Sequence, residues 1–377
     1  MEKKPVVVDL GYHYADEIDD YQLLVNLYES SSGQHQLLAE SVNLYVIRHL
    51  NQEKEIKIGE VNYWFLKGKR SRFWLPFRLH HRINSLSPDI ILLHGFSHPL
   101  QVLLLRIQTR ATFIIQYHGG GYPQGARGIL QRISAGLVKN YIFVAEAQAK
   151  EFRIRKLIPF KSTVYCIGEG STHKVNIEKQ KARKVLGMDA HEKICLWVGR
   201  LNANKDPITV LKGFEVMLAV HNSMRLYMIY STIELLEEVK HLIANSDTLR
   251  HHVKLEGKIA HRDLDNYYSG ADYFVLGSNA EGSGYALCEA LACGCIPIVT
   301  DIPSFRIITD EARIGALWKA GDEHSFVEAM KYALELDEEE ESQKAIAFFK
   351  KELSFEALAQ KHFKMIRTIL DEGDNRE

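Results

Sequence analysis

Two glutamates eight residues apart, Glu281 and Glu289, lie on either side of a glycine-rich turn whose composition suits an anionic ligand. The apolar run Tyr273–Leu276 before the turn is typical of a buried strand, and the residues after it are typical of a helix. Gly282 and Gly284 allow a ligand to approach the backbone closely. Because the first amides of a helix lack helical partners and lie at the positive end of its dipole, this segment predicts a phosphate-binding site.

The two carboxylates are predicted to contact different parts of one ligand. Helical residues eight positions apart differ by roughly 80° around the axis, given about 3.6 residues per turn. We place Glu281 on the loop before the helix and Glu289 in the second helical turn. The alternative is an acid near a helix start and an ordinary surface acid, but the glycines and the strand-to-helix setting favour a binding site.

Paired histidines and cysteines raise the question of a metal site. No acid or cysteine completes a ligand set at suitable spacing beside the histidines, and the pair Cys293 and Cys295 has no partner pair. We therefore predict no metal site, and interpret the histidines as ordinary polar residues and the cysteines as small packing residues. The histidine pairs are His94 with His98, His80 with His81, and His251 with His252.

Length and charge define the class of protein that contains these residues. The 377 residues are too many for one ordinary core and suit two. Because 47 Lys and Arg nearly balance 48 Asp and Glu, no global field attracts the chain to nucleic acid. Five cysteines, an odd number, fit a reducing cytosol better than a disulfide framework. The chain starts directly with a strand and has no apolar run near the roughly twenty residues of a spanning helix, so we expect a cytoplasmic protein.

Short apolar runs alternate with helical patterns along the chain, which predicts doubly wound α/β architecture with parallel sheets. The series restarts near residue 190, so we predict two Rossmann-like domains, 1–170 and 171–353, and a closing helix at 354–377 that packs back across the domain junction. Predicted helices include Pro207–His221, Thr232–Ser246 and Ser325–Leu336. The predicted strands are Val6–Leu10, Leu44–Arg48, Asn62–Leu66, Ile90–His94, Phe113–Tyr117, Tyr141–Ala145, Thr163–Ile167, Ile194–Val198, Leu226–Tyr230, Val253–Glu256, Tyr273–Leu276, Ile296–Thr300 and Ala316–Lys319.

The segment from Glu281 to Glu289 resembles the Glu-x7-Glu signature of retaining glycosyltransferases of family 4, the glycosyl transferases group 1. That resemblance implies the GT-B fold, in which two facing Rossmann-like domains enclose a deep cleft. It extends from about residue 112 to the end of the chain and is strongest from 194 to 310. The other matching segments are Leu196–Leu201 with Lys205–Pro207, Leu264–Leu276, the turn Cys166–Gly170 and the closing helix Ser354–Leu370.

The resemblance implies a site for a nucleoside diphosphate sugar donor. Arg200 and Lys205 would hold the diphosphate, as two cations facing a pyrophosphate should. Glu289 would accept hydrogen bonds from the ribose hydroxyls. Glu281, one of two implied catalytic residues, would accept them from hydroxyls of the transferred sugar. The remaining donor-binding positions are Gly199, Gly282, Gly284, Tyr285, Ala286 and Leu287 near the phosphates, with Lys258 and Ile259 beside the base.

His118 is the second catalytic residue that the resemblance implies. It follows the predicted strand Phe113–Tyr117 and precedes Gly119–Gly121, which keep the backbone clear of the sugar. A lone histidine after a strand is more often an ordinary residue, but the three glycines favour a role. Family members commonly have a Gly-Gly loop after the first strand. Here the segment Leu10–Asp20 has one glycine and four acids, which either suits an acceptor or weakens the binding of an anion, so Gly11 stays open as a phosphate contact.

The resemblance predicts a retaining hexosyltransferase that moves a sugar to a hydroxyl of a glycan or lipid-linked glycan, in polysaccharide biosynthesis. No Asp-x-Asp motif follows a strand, so we expect neither cofactor nor metal, with Arg200, Lys205 and helix amides replacing the cation. The alternatives are a nucleotide-sugar hydrolase or epimerase of the same fold, and a non-catalytic nucleotide-sugar-binding protein. The basic and aromatic stretch Lys67–Arg78 is either a solvated helix or a peripheral contact with the inner face of an anionic membrane.

Overall fold

The computed structural model describes residues 3–14, 20–22, 32–67, 74–119 and 121–374. The chain separates into two units. The first unit comprises Met1–Ser171 together with Phe355–Glu377, and the second comprises Thr172–Ser354. Each unit is built on a largely parallel sheet with helices packed against it, which confirms the predicted α/β class.

The first unit contains an eight-stranded sheet in the order β3-β4-β2-β1-β5-β6-β7-β8. Neighbouring strands are parallel except β3, which is antiparallel to β4. The central strands are continuous apolar runs because both faces of the sheet are covered. The strands are β1 (Val6–Tyr14), β2 (Asn43–Leu50), β3 (Lys54–Ile58), β4 (Val61–Lys67), β5 (Ile90–His94), β6 (Thr112–Gln116), β7 (Asn140–Phe143) and β8 (Thr163–Cys166).

Helices of the first unit bury apolar side chains against both faces of this sheet. Leu38 of the first helix belongs to the core on one face, whereas Ile83, Leu105 and Phe152 belong to the core on the other face. The helices are α1 (Gln34–Ala39), α2 (Phe77–Ser85), α3 (Pro99–Gln108), α4 (Gly125–Ala135) and α5 (Glu146–Ile154).

The second unit contains a six-stranded parallel sheet in the order β11-β10-β9-β12-β13-β14. Its strands are β9 (Lys193–Gly199), β10 (Met224–Tyr230), β11 (Val253–Gly257), β12 (Tyr273–Leu276), β13 (Ile296–Thr300) and β14 (Ala316–Trp318). Its α-helices are α6 (Lys179–Leu186), α7 (Pro207–Leu218), α8 (Leu236–Ala244), α9 (Asp247–His252), α10 (Leu264–Gly270), α11 (Tyr285–Ala292), α12 (Pro303–Ile308), α13 (Glu323–Glu335) and α14 (Glu338–Phe348). Short turns of 3-10 helix occupy Ala203–Lys205 and His261–Asp263, and a π-helical turn occupies Phe349–Leu353.

The last helix, α15 (Phe355–Asp374), belongs to the first unit. One face of this helix is buried, because Leu358, Met365, Ile366 and Ile369 lie in the same core as Leu38 of α1. This helix therefore covers the sheet face opposite to α2, α3 and α5.

The strand order identifies one point in each sheet where a ligand is expected. The order reverses between β1 and β5 in the first unit, and between β9 and β12 in the second. In open parallel sheets, ligands bind outside the carboxyl ends of the strands at such a switch point. The functional residues predicted above follow β6, β9 and β12, close to these two positions.

Three local predictions were wrong. Strand β1 continues to Tyr14, so the first half of the predicted loop 10–20 is strand. The edge strand β3 was missed because Lys54–Ile58 alternates charged residues with isoleucine, which is common at a protected sheet edge. The helix predicted from Thr232 begins at Leu236, and Ser246 caps a separate helix by accepting a hydrogen bond from the Leu249 amide at 3.1 Å.

None of the helices in the described ranges combines the length and the apolar character that crossing a membrane requires.

Candidate functional site

Two loops are joined by hydrogen bonds at the switch point of the second unit. One loop follows β9 and the other follows β12. The Asn279 amide donates to the Asn204 carbonyl at 2.8 Å, and the Asn204 side chain donates to the Ala280 carbonyl at 3.0 Å. Gly277 fits between them because a Cβ there would lie 2.8 Å from the Asp206 carbonyl oxygen. These contacts hold together, at one edge of the sheet, two segments that are far apart in the sequence.

Lys205 and Glu281 form an ion pair across these loops. Lys205 ends the 3-10 turn whose preceding residue, Asn202, accepts a hydrogen bond from the Lys205 amide at 3.2 Å. The side chains of Lys205 and Glu281 are 12% and 13% exposed, so the pair is shielded but reachable from solvent. Two residues predicted to contact the diphosphate and the sugar are therefore in direct contact with each other.

Gly284 shapes the start of α11. Its φ of +60° lies in the left-handed region, and a Cβ would lie 2.8 Å from Ile308 Cδ1. The Gly284 carbonyl accepts hydrogen bonds from the Leu287 and Cys288 amides at 2.9 and 3.0 Å. Leu287 itself is fully buried beneath the turn. Only glycine gives the backbone this shape here, and it leaves Tyr285 and Ala286 as the first residues of the helix.

Glu289 is buried and held by two side chains. It is 7% exposed, which excludes the alternative of an ordinary surface acid. Tyr268 donates to its Oε2 at 2.8 Å, and His261 Nε2 contacts its Oε1. The bond to Glu289 raises the pKa of His261 above its usual 6.5. Two donors therefore fix the orientation of a carboxylate in the second turn of α11.

His261 is a site residue that the sequence analysis missed. It lies three residues after Lys258, at the end of the loop that follows β11. Lys258 is exposed and Ile259 is half-buried in that loop. Lys258 and Ile259 were both predicted to lie beside the base. The position of His261 close to them in the sequence could therefore have marked it as a candidate site residue. Contact with Glu289, 28 residues later, is a tertiary feature that spacing does not reveal.

Arg200 is exposed directly after Gly199, the last residue of β9. Among the described residues, no acidic side chain forms an ion pair with it. An exposed guanidinium after a central strand suits an anionic ligand.

A second cluster lies at the switch point of the first unit, around Asp9 of β1. Asp9 is 3% exposed, and Arg48 of β2 lies 2.6 Å from its Oδ1. His35 of α1 lies 3.3 Å from Oδ2, and His94 at the end of β5 lies 2.6 Å from Oδ1. Gly11 leaves space for the arginine, since a Cβ there would lie 3.2 Å from Arg48 Cδ.

His118 is the exposed member of this cluster. Its Nε2 lies 2.6 Å from His94 Nδ1, and its Nδ1 lies 3.5 Å from Oε2 of the buried Glu169. The ring centroids lie 4.8 Å apart and the ring planes differ by 22°, so the two imidazoles meet edge to edge through these nitrogens. Spacing could not reveal the contact of His94 with Asp9, because the two residues are 85 positions apart.

Burial and charge set the ionisation of this cluster. Burial alone raises the pKa of Asp9, but Arg48, His94 and His35 together hold it well below 3.8. Burial lowers the pKa of His94 to about 4, against the opposing effect of the Asp9 charge. Asp9 is therefore a carboxylate and His94 a neutral imidazole near neutral pH.

Some predicted positions lie outside the described residues. They are the acids Asp16, Glu17 and Asp19 of the first-strand loop, Gly120, and the basic residues Lys69, Arg70 and Arg72. Gly119 is described and has a φ of +77°, which favours glycine directly after His118.

The cysteines and histidines do not assemble into a metal site in the part of the chain that the structure describes. All five cysteines are free, and Cys293 and Cys295 are buried. Burial raises the pKa of both thiols, so they are protonated packing groups, as the sequence indicated.

The two α/β units, each with a Rossmann strand order, define the GT-B class of fold. Within the second unit, residues 178–348 match the family described as glycosyl transferases group 1. This match confirms the resemblance drawn from the sequence.

A curated relative aligns over part of the chain. Over 241 residues the chain is 27% identical to the GDP-mannose:cellobiosyl-diphosphopolyprenol alpha-mannosyltransferase of Xanthomonas campestris, and the alignment covers 61% of this chain. The chain thus spans 60% of the length of that relative.

Solved structures align over nearly the whole chain. A glycosyltransferase from Rickettsia africae has a TM-score of 0.73 at 14% identity, covering 98% of this chain and 99% of that chain. Anabaena Alr3699/HepE in complex with UDP has a TM-score of 0.68 at 13% identity, covering 97% of this chain and 100% of that chain. Identities this low show a common fold.

Proposed function

We propose that this chain is a retaining glycosyltransferase that transfers a sugar from a nucleoside diphosphate sugar to a hydroxyl of a glycan or lipid-linked glycan. The main observation in support is the meeting of Lys205, Glu281 and the start of α11 at the switch point of the second unit. Cation, carboxylate and helix amides are the groups that a sugar diphosphate requires. The UDP bound to the Anabaena neighbour and the GDP-mannose in the name of the Xanthomonas relative agree with this ligand class.

In this proposal each residue contacts one part of the donor. Arg200 and Lys205 bind the diphosphate together with amides of Gly284, Tyr285 and Ala286. Glu289 accepts hydrogen bonds from the ribose hydroxyls, since Tyr268 and His261 already hold its carboxylate in place. Glu281 accepts hydrogen bonds from the sugar. The other proposed contacts are the backbone at Gly199 and Gly282 near the phosphates, and Lys258 and Ile259 beside the base.

The proposed chemistry relies on charges held in place before the reaction. As the bond between sugar and phosphate breaks, the ring becomes positive and the leaving diphosphate becomes negative. Cations and helix amides stabilise the leaving group without reorganising, which is usually the largest contribution to catalysis. We propose that Arg200, Lys205 and α11 supply this stabilisation without a metal ion. The retained configuration and the role of His118 at the sugar follow from the family resemblance.

A nucleotide-binding screen tests the donor site. The unfolding temperature of the protein is measured with UDP, GDP and ADP, and with sugars attached to each. We expect one base to raise it, Arg200→Ala to abolish the increase, and Glu289→Gln to reduce it. Arg313→Ala is the matched control, because Arg313 is an exposed arginine of the same unit that pairs with nearby Asp310. Unchanged melting with every nucleotide would contradict the proposal.

The same proteins distinguish the alternative functions. A hydrolase or epimerase consumes or converts the donor at full rate without an acceptor, whereas a transferase shows slow hydrolysis that an acceptor hydroxyl accelerates. A non-catalytic protein binds the donor and leaves it intact. We expect slow donor hydrolysis that depends on Arg200.

An acceptor attached to a lipid, as in the name of the Xanthomonas relative, requires contact with a membrane. One surface of the first unit supports such a contact. Residues 90–145 contain five Lys or Arg and no Asp or Glu. Within the described part of the first unit, every exposed large apolar side chain lies on α2–α5 or the segments beside these helices. These side chains are Leu75, Phe77, Ile107, Ile129, Ile133, Leu137, Ile154 and Phe160. Apolar residues among cations suit the inner face of an anionic bilayer.

Vesicle flotation tests this contact. We expect binding to phosphatidylglycerol vesicles that weakens with salt, no binding to phosphatidylcholine vesicles, and loss of binding in the double variant Ile129→Asp and Ile133→Asp. The matched control is Val216→Asp with Val220→Asp, two exposed apolar residues of the second unit. Neutralising Lys69, Arg70 and Arg72 should weaken binding as well. Absence of binding at low salt would remove the membrane contact from the proposal.

A further inference from the structure

Three side chains, Arg48, His35 and His94, contact the single buried carboxylate of Asp9. Arg48 and His35 already contact the two carboxylate oxygens, and Arg48 also donates to the Asp9 carbonyl at 3.1 Å. His94 adds a further bond to Oδ1 and leads to His118, whose side chain is 34% exposed. This chain of hydrogen bonds runs from a buried carboxylate to an exposed side chain.

The ionisation of the cluster determines which atom donates in each bond. The Asp9 carboxylate only accepts, so His94 donates to it from Nε2 at 2.6 Å. Arg48 Nη2 lies 3.3 Å from the same nitrogen and forms no hydrogen bond with it while that nitrogen carries a proton. Because the His94 ring is neutral, its Nδ1 has no proton and accepts. His118 Nε2, 2.6 Å from that atom, therefore donates. The network assigns one tautomer to His118, with the proton on Nε2.

We propose that Asp9 and His94 are positioning residues that fix the tautomer and the orientation of His118 for its role at the transferred sugar. This inference rests on the proposed function of His118. It adds two residues that the sequence did not connect with His118, because they lie 109 and 24 residues before it in the chain.

Glu169 completes the arrangement on the other side of the ring. Its carboxylate is buried, and Oε2 lies 3.5 Å from His118 Nδ1. Since Nε2 is bonded to His94, Nδ1 is the ring nitrogen at which a proton can be gained or lost. A proton taken up there would face the Glu169 carboxylate. His94 therefore holds Nε2, and Glu169 is placed to bind Nδ1 once that nitrogen is protonated.

A double-mutant cycle tests whether His94 acts through His118. Turnover is measured with the nucleoside diphosphate sugar selected by the binding screen, in His94→Phe, His118→Ala and the double variant. We expect His94→Phe to lower kcat about 10- to 100-fold, the range typical of a misplaced reacting group, with the donor KM nearly unchanged. In the His118→Ala background the same substitution should have no further effect. Equal losses in both backgrounds would overturn the inference.

His80→Phe is the matched control. His80 is also a buried histidine of the first unit, but its Nε2 lies 2.7 Å from the Tyr12 hydroxyl and it is not bonded to His118. We expect its kcat to match that of the unmodified protein. A loss equal to that of His94→Phe would assign the effect to altered packing and overturn the inference.

The tautomer of His118 can be measured without any substrate. In a ¹⁵N-histidine spectrum, we expect a protonated Nε2 and an unprotonated Nδ1 for His118, assigned from the His118→Ala spectrum. His94→Phe and Asp9→Asn should change these shifts. His94→Asn keeps an oxygen near the position of Nδ1, so it should restore part of the spectrum and of kcat. Unchanged His118 shifts in His94→Phe would overturn the inference.

Failure of this inference is separable from failure of the proposed function. Unchanged turnover in His118→Ala would overturn the role of His118 and the inference with it. Sugar transfer would still be tested by Arg200→Ala and Glu289→Gln, which alter the second unit only.

Discussion

Lys205 Nζ and Glu281 Oε1 are in direct contact, although the two residues are 76 positions apart in the sequence. Their contact joins the loop after β9 to the loop after β12, where a ligand of this sheet is expected. A phosphate that binds Lys205 must compete with the carboxylate of Glu281. Once the phosphate has bound, Glu281 is free to accept hydrogen bonds from the attached sugar. In the proposed function, the ion pair therefore links recognition of the two parts of the donor.

Glu281→Gln should separate nucleotide binding from turnover. Removing the competing charge leaves Lys205 available, so we expect the nucleoside diphosphate without sugar to bind about two- to fivefold more tightly, or roughly 0.4–1 kcal/mol. Turnover of the complete donor should fall at least about tenfold, because a sugar contact is lost. Calorimetry and initial rates measure the two effects. Glu328→Gln, which removes an exposed ion pair with Lys331, should change neither nucleotide affinity nor turnover. Weaker nucleotide binding in Glu281→Gln would contradict the proposed competition between phosphate and Glu281 for Lys205.

Glu289→Gln should change both nucleotide affinity and a histidine titration. Loss of a charged acceptor for the ribose hydroxyls should weaken nucleotide binding about tenfold, or about 1.4 kcal/mol. The bond to Glu289 raises the pKa of His261, so the substitution should return that pKa towards 6.5. An NMR titration of the His261 ring measures this shift. An unchanged His261 titration would show that the contact does not persist in solution.

Gly284→Ala should destabilise the second unit more than an alanine at another left-handed glycine. Gly321 has a φ of +72° and no atom within 4 Å of the position that a Cβ would occupy, so Gly321→Ala involves backbone strain alone, about 1 kcal/mol. At Gly284 the new Cβ also overlaps Ile308, which should raise the loss in the free energy of unfolding to about 2–4 kcal/mol. Urea unfolding of both variants measures the difference. Equal losses would contradict the described packing of the turn.

Acid should destabilise the fold between pH 6.5 and 4. Burial lowers the pKa of His80 and of His94 to about 4, whereas both titrate near 6.5 when unfolded. As pH falls through this window the unfolded chain binds protons that the folded chain does not, so stability decreases, by about 3 kcal/mol for each histidine. The lowered pKa of Asp9 preserves its stabilising effect until lower pH. His80→Gln should reduce the slope measured by urea unfolding at several pH values, and a stability that rises in this window would contradict the prediction.

The fold was predictable because its strands are long apolar runs separated by helical periodicity. Runs such as Ile90–Leu93 and Ile296–Thr300 are buried on both faces, and this property is visible in the sequence. Strand β3 could not be predicted in this way, because it lies at the sheet edge and its sequence mixes charged residues with isoleucine. The two-residue connection through Gly59, whose φ is +57°, was the available signal for that hairpin.

The two sites differ in how far they could be predicted. The segment from Glu281 to Glu289 is local, so its loop, glycines and helix are all visible in one stretch of sequence. The Asp9 cluster is assembled from β1, α1, β2, β5 and the segment after β6, and its members have no common spacing. Long-range contacts of this kind arise from sheet order, which single-residue patterns do not specify. His118 was singled out, but the residues that hold it were not.

Release of nucleoside diphosphate from a panel of UDP-, GDP- and ADP-sugars tests the central claim most directly. We predict that one class of donor releases its nucleotide, that an acceptor hydroxyl accelerates the release, and that the new glycosidic bond keeps the anomeric configuration of the donor by NMR. We also expect Arg200→Ala to abolish the release and Glu289→Gln to slow it, whereas Arg313→Ala should do neither. Binding of a nucleotide sugar without release, or release that no acceptor accelerates and that is unchanged in both variants, would contradict the claim.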